Sequence, residues 1–518
     1  MAEHSMPKGF IMRFHTSTAV LALVAGTLAG QTAADVTARQ VWDDMRGYLG
    51  SFGYEITATD SMSGDTLTAR DVTMSMALPE DGGSVALEIP ALTFTENGDG
   101  TVTVTYPEIT EIRIEARPPD AEAVDMTLDL TQSGLEVLVS GDDTRMVYDY
   151  VAERLGVTLA ELVVEGDPVP RENVDVSVSA RDMSGESVVV PGDIRALDQT
   201  LTVAEVTYDV TVIPPEDGAG RADFNGSMQA LSFEGMGRIP EDMDMENLSA
   251  AFAAGYAFDG RFGYSDGRSE FLFEEEGQTV QGTTRSDRTE FRAAMNAERL
   301  SYGASGAGTE VRMETPDLPF PVEAAIGETG FEISAPVGST DEPQPFGLSL
   351  AMRDFTMGEP LWAMFDPGQM LPREPATVVL DLSGMARTMG DIFDPQAMQS
   401  MAMNEEVPAE LHALDLSRLL VSALGAGLTG EGAFTFDNQD LETFDGMPRP
   451  EGTLSLRLEG ANALLDTLMQ MGLLPEEQAM GARMMMGMFA VPAGEDVLES
   501  TIEINEQGQV LANGQRIQ

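Results

Sequence analysis

A two-residue alternation that begins near Thr66 and recurs almost to the end of the chain constrains the fold more than any other feature. Thr66-Leu67-Thr68-Ala69-Arg70 leads into Val72-Thr73-Met74-Ser75-Met76, followed by Val85-Ala86-Leu87-Glu88-Ile89 and Leu92-Thr93-Phe94-Thr95. Asn97-Gly98-Asp99-Gly100 supplies residues that accept a left-handed turn, and Val102-Thr103-Val104-Thr105-Tyr106 returns. Side chains spaced by two fall on one face of a strand, so this pattern builds half-buried strands rather than helices. It continues at residues 112–116, 126–130, 135–139, 174–178, 201–213 and 255–313, with Phe271-Leu272-Phe273 among them. Closely spaced strands joined by turn residues predict a β-rich α+β chain. Its body is an extended antiparallel sheet or meander, with a curved groove as one form it could take, and helices are added mainly in the C-terminal part.

Helical periodicity interrupts this texture in a few places. Asp35 is placed to cap a first helix reaching about Leu49, with Val41, Trp42, Met45, Tyr48 and Leu49 on one face. Further helices are expected at 143–155 and 243–254, then at 360–364, 386–393, 414–424, 461–471 and 476–489. A short hairpin, 501–504 with 510–512, follows them. Pro336-Val337-Gly338-Ser339-Thr340-Asp341-Glu342-Pro343-Gln344-Pro345 reads as a linker between a β-rich region, 35–335, and an α+β region, 346–518. Arg70-Asp71-Val72-Thr73-Met74 and Arg353-Asp354-Phe355-Thr356-Met357 form a weak internal echo, which leaves duplication open.

The first 34 residues have the order of an export signal. Lys8, Arg13 and His15 precede an apolar run from 19 to 29, and Thr32-Ala33-Ala34 follows. Cleavage is expected between Ala34 and Asp35, with Met12 as the natural start. The run is too short to cross a bilayer, and so is the later apolar stretch at 419–428, so the mature chain is expected to lack a transmembrane segment. The chain has no cysteine, which removes both a thiol-linked lipid anchor and disulfides. The expected location is a Gram-negative periplasm.

Charge excludes some partners. Taking Glu3, Lys8 and Arg13 from the 87 acidic and 29 basic residues leaves 86 and 27, a net charge of −59, and every remaining basic residue is arginine. Such a surface repels nucleic acid and anionic head groups.

The residue inventory also limits the chemistry. His412 is the single histidine beyond the leader, so it cannot build a zinc site with partners of its own kind, and it reads as a surface or helix-start residue. Without lysine there is no phosphate-loop lysine and no Schiff base. Gly263-Tyr264-Ser265-Asp266-Gly267 fits the G-x-S-x-G pattern of a nucleophile elbow. Alternating residues stand on both sides of it, however, which predicts a hairpin turn. Asp437-Asn438-Gln439-Asp440-Leu441-Glu442 lacks the glycine and spacing of a calcium loop and reads as a solvated loop. Met480, Met484 and Met488 recur every four residues, as in a helix packing into a core. No catalytic, cofactor-binding or metal residue is singled out.

The C-terminal third resembles domain-of-unknown-function family 2125, a set of exported alphaproteobacterial proteins. The resemblance is carried by Leu361-Trp362-Ala363-Met364-Phe365-Asp366-Pro367-Gly368 and Leu371-Pro372-Arg373-Glu374-Pro375-Ala376-Thr377. Gly460-Ala461-Asn462-Ala463-Leu464-Leu465, Gly472-Leu473-Leu474-Pro475, Gly481-Ala482-Arg483-Met484-Met485 and Ala512-Asn513-Gly514-Gln515-Arg516 extend it. It covers about Phe346 to Gln518 and implies no activity. At the level of architecture, the strand texture is similar to the long β-grooves of AsmA-type envelope proteins that handle lipid, which is an analogy of form. The expected function is a non-enzymatic envelope protein binding an apolar or lipid ligand, or a protein partner, on its sheet. The alternatives are a carboxylate-based hydrolase of envelope glycans and a purely structural envelope factor.

Overall fold

The computed structural model describes residues 35–77, 83–117, 122–214, 220–241, 243, 247–404 and 407–517. It is a β-rich α+β chain built on one antiparallel meander. After α1 (Ala38–Ser51) come β1 (Glu55–Ser63), β2 (Thr66–Ala77) and β3 (Gly83–Glu96). Along the far edge of β3 lie β4 (Val102–Thr105) and β5 (Ile109–Ala116), end to end. Next come β6 (Val124–Ser133) on β5 and β7 (Glu136–Asp142) on β4, and β8 (Arg145–Val164) spans both. A two-residue strand, β9 (Asp167–Pro168), trims one end of β8.

From there the strands lengthen and follow chain order: β10 (Val174–Val190), β11 (Ile194–Val212), β12 (Gly220–Pro240), β13 (Ala257–Glu275) and β14 (Gln278–Met295). β15 (Arg299–Glu314), β16 (Val322–Pro336), β17 (Gln344–Met357), β18 (Ala376–Thr388), β19 (Ala409–Ala423), β20 (Ala426–Asp437) and β21 (Arg449–Glu459) continue the series. β22 (Val491–Gly494), β23 (Val497–Ile504), β24 (Val510–Ala512) and β25 (Gln515–Arg516) close it, with β23 on β21. Helices α2 (Leu248–Ala253), α3 (Glu359–Phe365), α4 (Pro395–Met403), α5 (Ala461–Gln470) and α6 (Glu476–Phe489) are inserted between strands. The 336–345 stretch connects β16 to β17, which are neighbours in the same sheet.

Several helical expectations are corrected. Residues 143–155 fall on β8, because Asp142 receives the amides of Thr144 and Arg145 in a hairpin turn, and Met146, Tyr148, Tyr150 and Ala152 then bury alternately. Residues 414–424 fall on β19. Its leucines favour a helix in isolation, but neighbours on both edges offer complete ladders, and Leu424-Gly425 turns left-handed into β20. Residues 386–393 end β18 and form a loop, and the helix there starts later, with Asp394 capping α4 ahead of Pro395. Thr37 caps α1 instead of Asp35, in a capping box with Gln40. The helices at 360–364, 461–471 and 476–489 and the closing hairpin are present.

The G-x-S-x-G segment forms neither an elbow nor a hairpin turn. It lies inside the uninterrupted strand β13, where Asp266 takes φ 46° and the register with β12 shifts. The same device recurs mid-strand at Asp71, Asp182 and Asp354, with φ of 50°, 50° and 56°. Short polar Asp tolerates the left-handed region better than most residues. The echo between Arg70-Asp71 and Arg353-Asp354 therefore marks one local geometry, which Arg181-Asp182 repeats. Ala230 in β12 and Gly308 in β15 join this line, and such irregularities bend and twist a sheet.

The core is concentrated at one end. Val41, Trp42, Met45 and Leu49 of α1 press on Leu67, Leu92, Phe94, Val104 and Val137, with Trp42 1% exposed and its ring 5.6 Å from Phe94. Asp44 of α1 accepts from the Tyr148 hydroxyl at 2.6 Å and pairs with Arg195, fixing the helix to β8 and β11. Between residues 257 and 358, in contrast, the buried positions are Gly260, Gly267, Pro336 and Val337. That stretch of sheet is a single layer.

Candidate ligand-binding face

In an antiparallel sheet, directly opposed residues share a face. Following the register from strand to strand therefore traces files of side chains across the molecule. One file runs Met62, Leu67, Phe94, Val104, Val137, Tyr150, Gly185, Leu201, Phe233 and Phe262. It continues through Phe291, Ala304, Phe331, Leu350, Leu380, Leu419, Gly430 and Leu456 to Ser500. From β1 to β23 no charged residue interrupts it. A second file beside it runs Gly260, Ala293, Tyr302, Ile333, Leu348, Leu382, Leu416, Gly432, Leu454 and Ile502. At the strand spacing of about 4.8 Å, the stretch from β10 to β23 is roughly 55–60 Å long.

The two ends of this strip differ in what covers them. α1 lies on the first end, where Leu67 and Phe94 are fully buried. Beyond β13 no layer among the described residues covers the strip: Phe291 is 47% exposed, Phe331 41% and Leu350 38%. The α5–α6 hairpin stands at the far end on the same side, because Ser500, the last residue of the file, donates its hydroxyl to the Phe489 carbonyl at 2.6 Å.

The opposite face is polar. One of its files reads Thr200, Glu234, Arg261, Arg292, Gly303, Glu332, Ser349, Asp381 and Arg418. Glu290, close by, takes Arg288 and Arg292 at 2.9 Å. Burial pushes its carboxyl up, but the arginine hydrogen bonds outweigh it and hold the group below its ordinary value. A hollow of about 730 Å³ spans β11 to β17, and its charged lining, Glu234, Arg261, Glu290, Arg292 and Glu332, belongs to this face. The concavity in the middle of the sheet is therefore on the polar side, and the apolar side is an open strip.

The residues singled out from sequence are scattered. Asp35 is exposed beside the β3–β4 turn, and Ala34 lies outside the described residues. His412 is on β19, 3.7 Å from Glu410, rather than at a helix start. Asp437 and Asp440 each hold the Arg449 guanidinium at 3.0 Å. Met480, Met484 and Met488 are not core residues: they are 62%, 68% and 57% exposed, because α6 rests on its Ala479 side. Among the described residues no cluster of His, Asp and Glu is arranged to hold a metal. No helix of the described residues is long and apolar enough to cross a membrane. Asp149 lies directly opposite Glu186, and burial together with that charge raises its carboxyl.

The segments that carry the family resemblance fasten α3, α5 and α6 locally. Asp366, with its side chain wholly buried, accepts the amides of Met370 and Leu371 at 2.9 and 3.0 Å and Arg373 at 2.7 Å. Arg373 in turn stacks 4.2 Å from the Trp362 ring. Asp496 receives the Asn462 and Ala463 amides, which caps α5, and Arg483 of α6 reaches back to Asn462 and Asp466. Asn513 joins the closing hairpin to the end of α6 through the Phe489 carbonyl. The apolar strip itself was missed in sequence reading, since its signal is visible only once the strands are aligned in register. No curated protein matches the chain. Residues 244–515, more than half of the chain and starting well before Phe346, match the family described as Uncharacterized protein conserved in bacteria (DUF2125), and the chain belongs to that family.

Proposed function

We propose that this chain is an exported, non-enzymatic envelope protein that holds the acyl chains of lipid along its open apolar strip. The observation that carries the reading is the pair of uncharged files crossing the sheet, with large side chains left bare beyond β13. A continuous exposed apolar surface of this size marks a binding site rather than ordinary surface. Acyl chains suit it better than a protein partner. Protein interfaces carry about one hydrogen bond per 100–200 Å², whereas beyond β13 these files carry the Tyr302 hydroxyl and that of Ser500, which is already donated to the Phe489 carbonyl. A leaflet's hydrocarbon depth is about 15 Å, half of the ~30 Å core, so the strip has room for several chains laid along it.

The test is recovery from cells. Protein made with its own leader is isolated from the periplasm, its N-terminus is sequenced, and extracted lipid is measured by mass spectrometry. A photoreactive residue at Phe331 should capture lipid, and one at the neighbouring Glu332, on the polar face, should not. An unprocessed N-terminus in the membrane fraction defeats the export reading, and equal capture at both positions defeats the strip. A carboxylate hydrolase would place its acid at Asp149, so glycan turnover abolished by Asp149→Asn would replace this proposal.

A further inference from the structure

The α5–α6 hairpin has a bare apolar tip. From Met480 onward the outer arc of α6 consists of Met480, Gly481, Met484, Met485, Gly487 and Met488, with no charge among them. Leu473, in the turn before α6, is exposed as well. The helix is fastened on its other side: Ala479 is fully buried and Arg483 is engaged by Asn462 and Asp466. The methionines are therefore displayed by a braced helix.

From this geometry we infer that the methionine arc of α6 rests on the interfacial layer of an uncharged, zwitterionic phospholipid bilayer and brings the end of the strip to the membrane. The inference rests on the lipid reading of the strip and gives it a point of entry. Four features on the molecule select this occupant. The arc continues the strip, because the carboxyl end of α6 is bonded through Phe489 to Ser500, the last residue of the long file. At 14 residues, or about 21 Å, the helix is too short to cross the ~30 Å hydrocarbon core, so it can only lie in the interface. Helices that bind anionic membranes carry Lys or Arg on their polar side. Here Glu476 and Glu477 open the helix, its one arginine is already paired, and the whole chain has a net charge of −58. Anionic head groups are repelled, so neutral ones are left. Flexible, polarisable methionine also suits a surface that meets disordered chains rather than a fixed partner.

The absence of cysteine makes the experiment clean. Met484→Cys and, as a control on the polar face, Glu328→Cys each carry one environment-sensitive fluorophore. With phosphatidylcholine vesicles, the label at 484 should shift to the blue and the one at 328 should not. Unlabelled protein should float with these vesicles, and at low salt flotation should fall at least several-fold when half of the lipid is phosphatidylglycerol. The triple variant Met480→Ser, Met484→Ser, Met488→Ser, checked for an unchanged melting curve, should lose flotation at least tenfold. No flotation of the wild-type chain overturns the inference, as does equal flotation of the triple variant or a preference for phosphatidylglycerol. A wild-type dimer that the triple variant converts to monomer assigns the arc to a second copy and overturns it equally. Lipid capture at Phe331 without flotation leaves the strip standing and removes only the tip. Flotation without capture does the reverse.

Discussion

Phe94 and Phe331 stand in the same file of the same sheet, so replacing each by alanine isolates the effect of what lies above them. Phe94 is fully buried, with the Trp42 ring 5.6 Å away and α1 closing the space. Phe94→Ala leaves a cavity beneath a helix held by Asp44, Arg195 and Tyr148, and should cost about 3–5 kcal/mol. Phe331 is 41% exposed, with no opposing layer among the described residues. Its replacement leaves no cavity and gives up roughly 70 Å² of buried apolar area, which at about 25 cal/mol per Å² is about 1–2 kcal/mol. Strands that pack only on their neighbours need not unfold together, so a single melting temperature is a poor measure. Hydrogen exchange reports the local cost directly. Phe94→Ala should strip protection from α1 and β2 to β4, and Phe331→Ala should change β15 to β17 only slightly. If the two variants cost the same, the strip beyond β13 is covered in solution and the argument for an open face fails.

Four further outcomes follow from the same structure. Ion pairs such as Arg113 with Glu88 and Arg457 with Glu499 are about half exposed and contribute little, so repulsion among surplus carboxylates dominates. Stability should rise between 0.1 and 1 M sodium chloride, as the screening length falls from about 10 to about 3 Å, and a flat or falling trend in melting curves refutes this. Trp362→Ala should cost about 3–5 kcal/mol and free residues 359–373 to exchange, since Trp362 is the platform for Arg373; unchanged protection there counts against it. Burial pushes the carboxyls of Asp366 and Asp496 up, but both lie below their ordinary values. Hydrogen bonds from the Met370 and Leu371 amides and Arg373 outweigh burial at Asp366, and those from Asn462 and Ala463, with the Arg483 charge, outweigh it at Asp496. Their contribution is therefore complete above the unfolded value of about 3.9 and is lost as pH falls through the folded values, so acid should loosen α3 and α5, as amide exchange would show. Asp182→Gly should be tolerated and Asp182→Val should destabilise β10 by about 1–2 kcal/mol, because φ there is 50°; equal effects in a urea titration would refute the strain argument.

Where the controlling signal was local, the sequence was readable. The alternation at Thr66–Ala77, the Asn97-Gly98-Asp99-Gly100 turn, the apolar face of α1 and the span of α6 all rest on neighbours within a turn or two, and all are present. The errors share one cause. Residues 143–155 and 414–424 have composition that suits a helix or a strand, and β6, β7, β10, β18 and β20 decided the matter by offering ladders to β8 and β19. At Ser265-Asp266-Gly267, turn residues that would end a strand in isolation are held between β12 and β14 and only bend it. Periodicity reveals that a strand or helix has an apolar side; it carries no information about whether another layer arrives to cover that side. Leu67 and Leu350, or Trp42 and Met484, look alike in the chain, yet the first of each pair is core and the second is surface. Alternation along each strand was therefore settled by the sequence itself. The alignment of those apolar sides into one strip, buried under α1 and bare beyond β13, was settled only by register and by which elements found a place to dock.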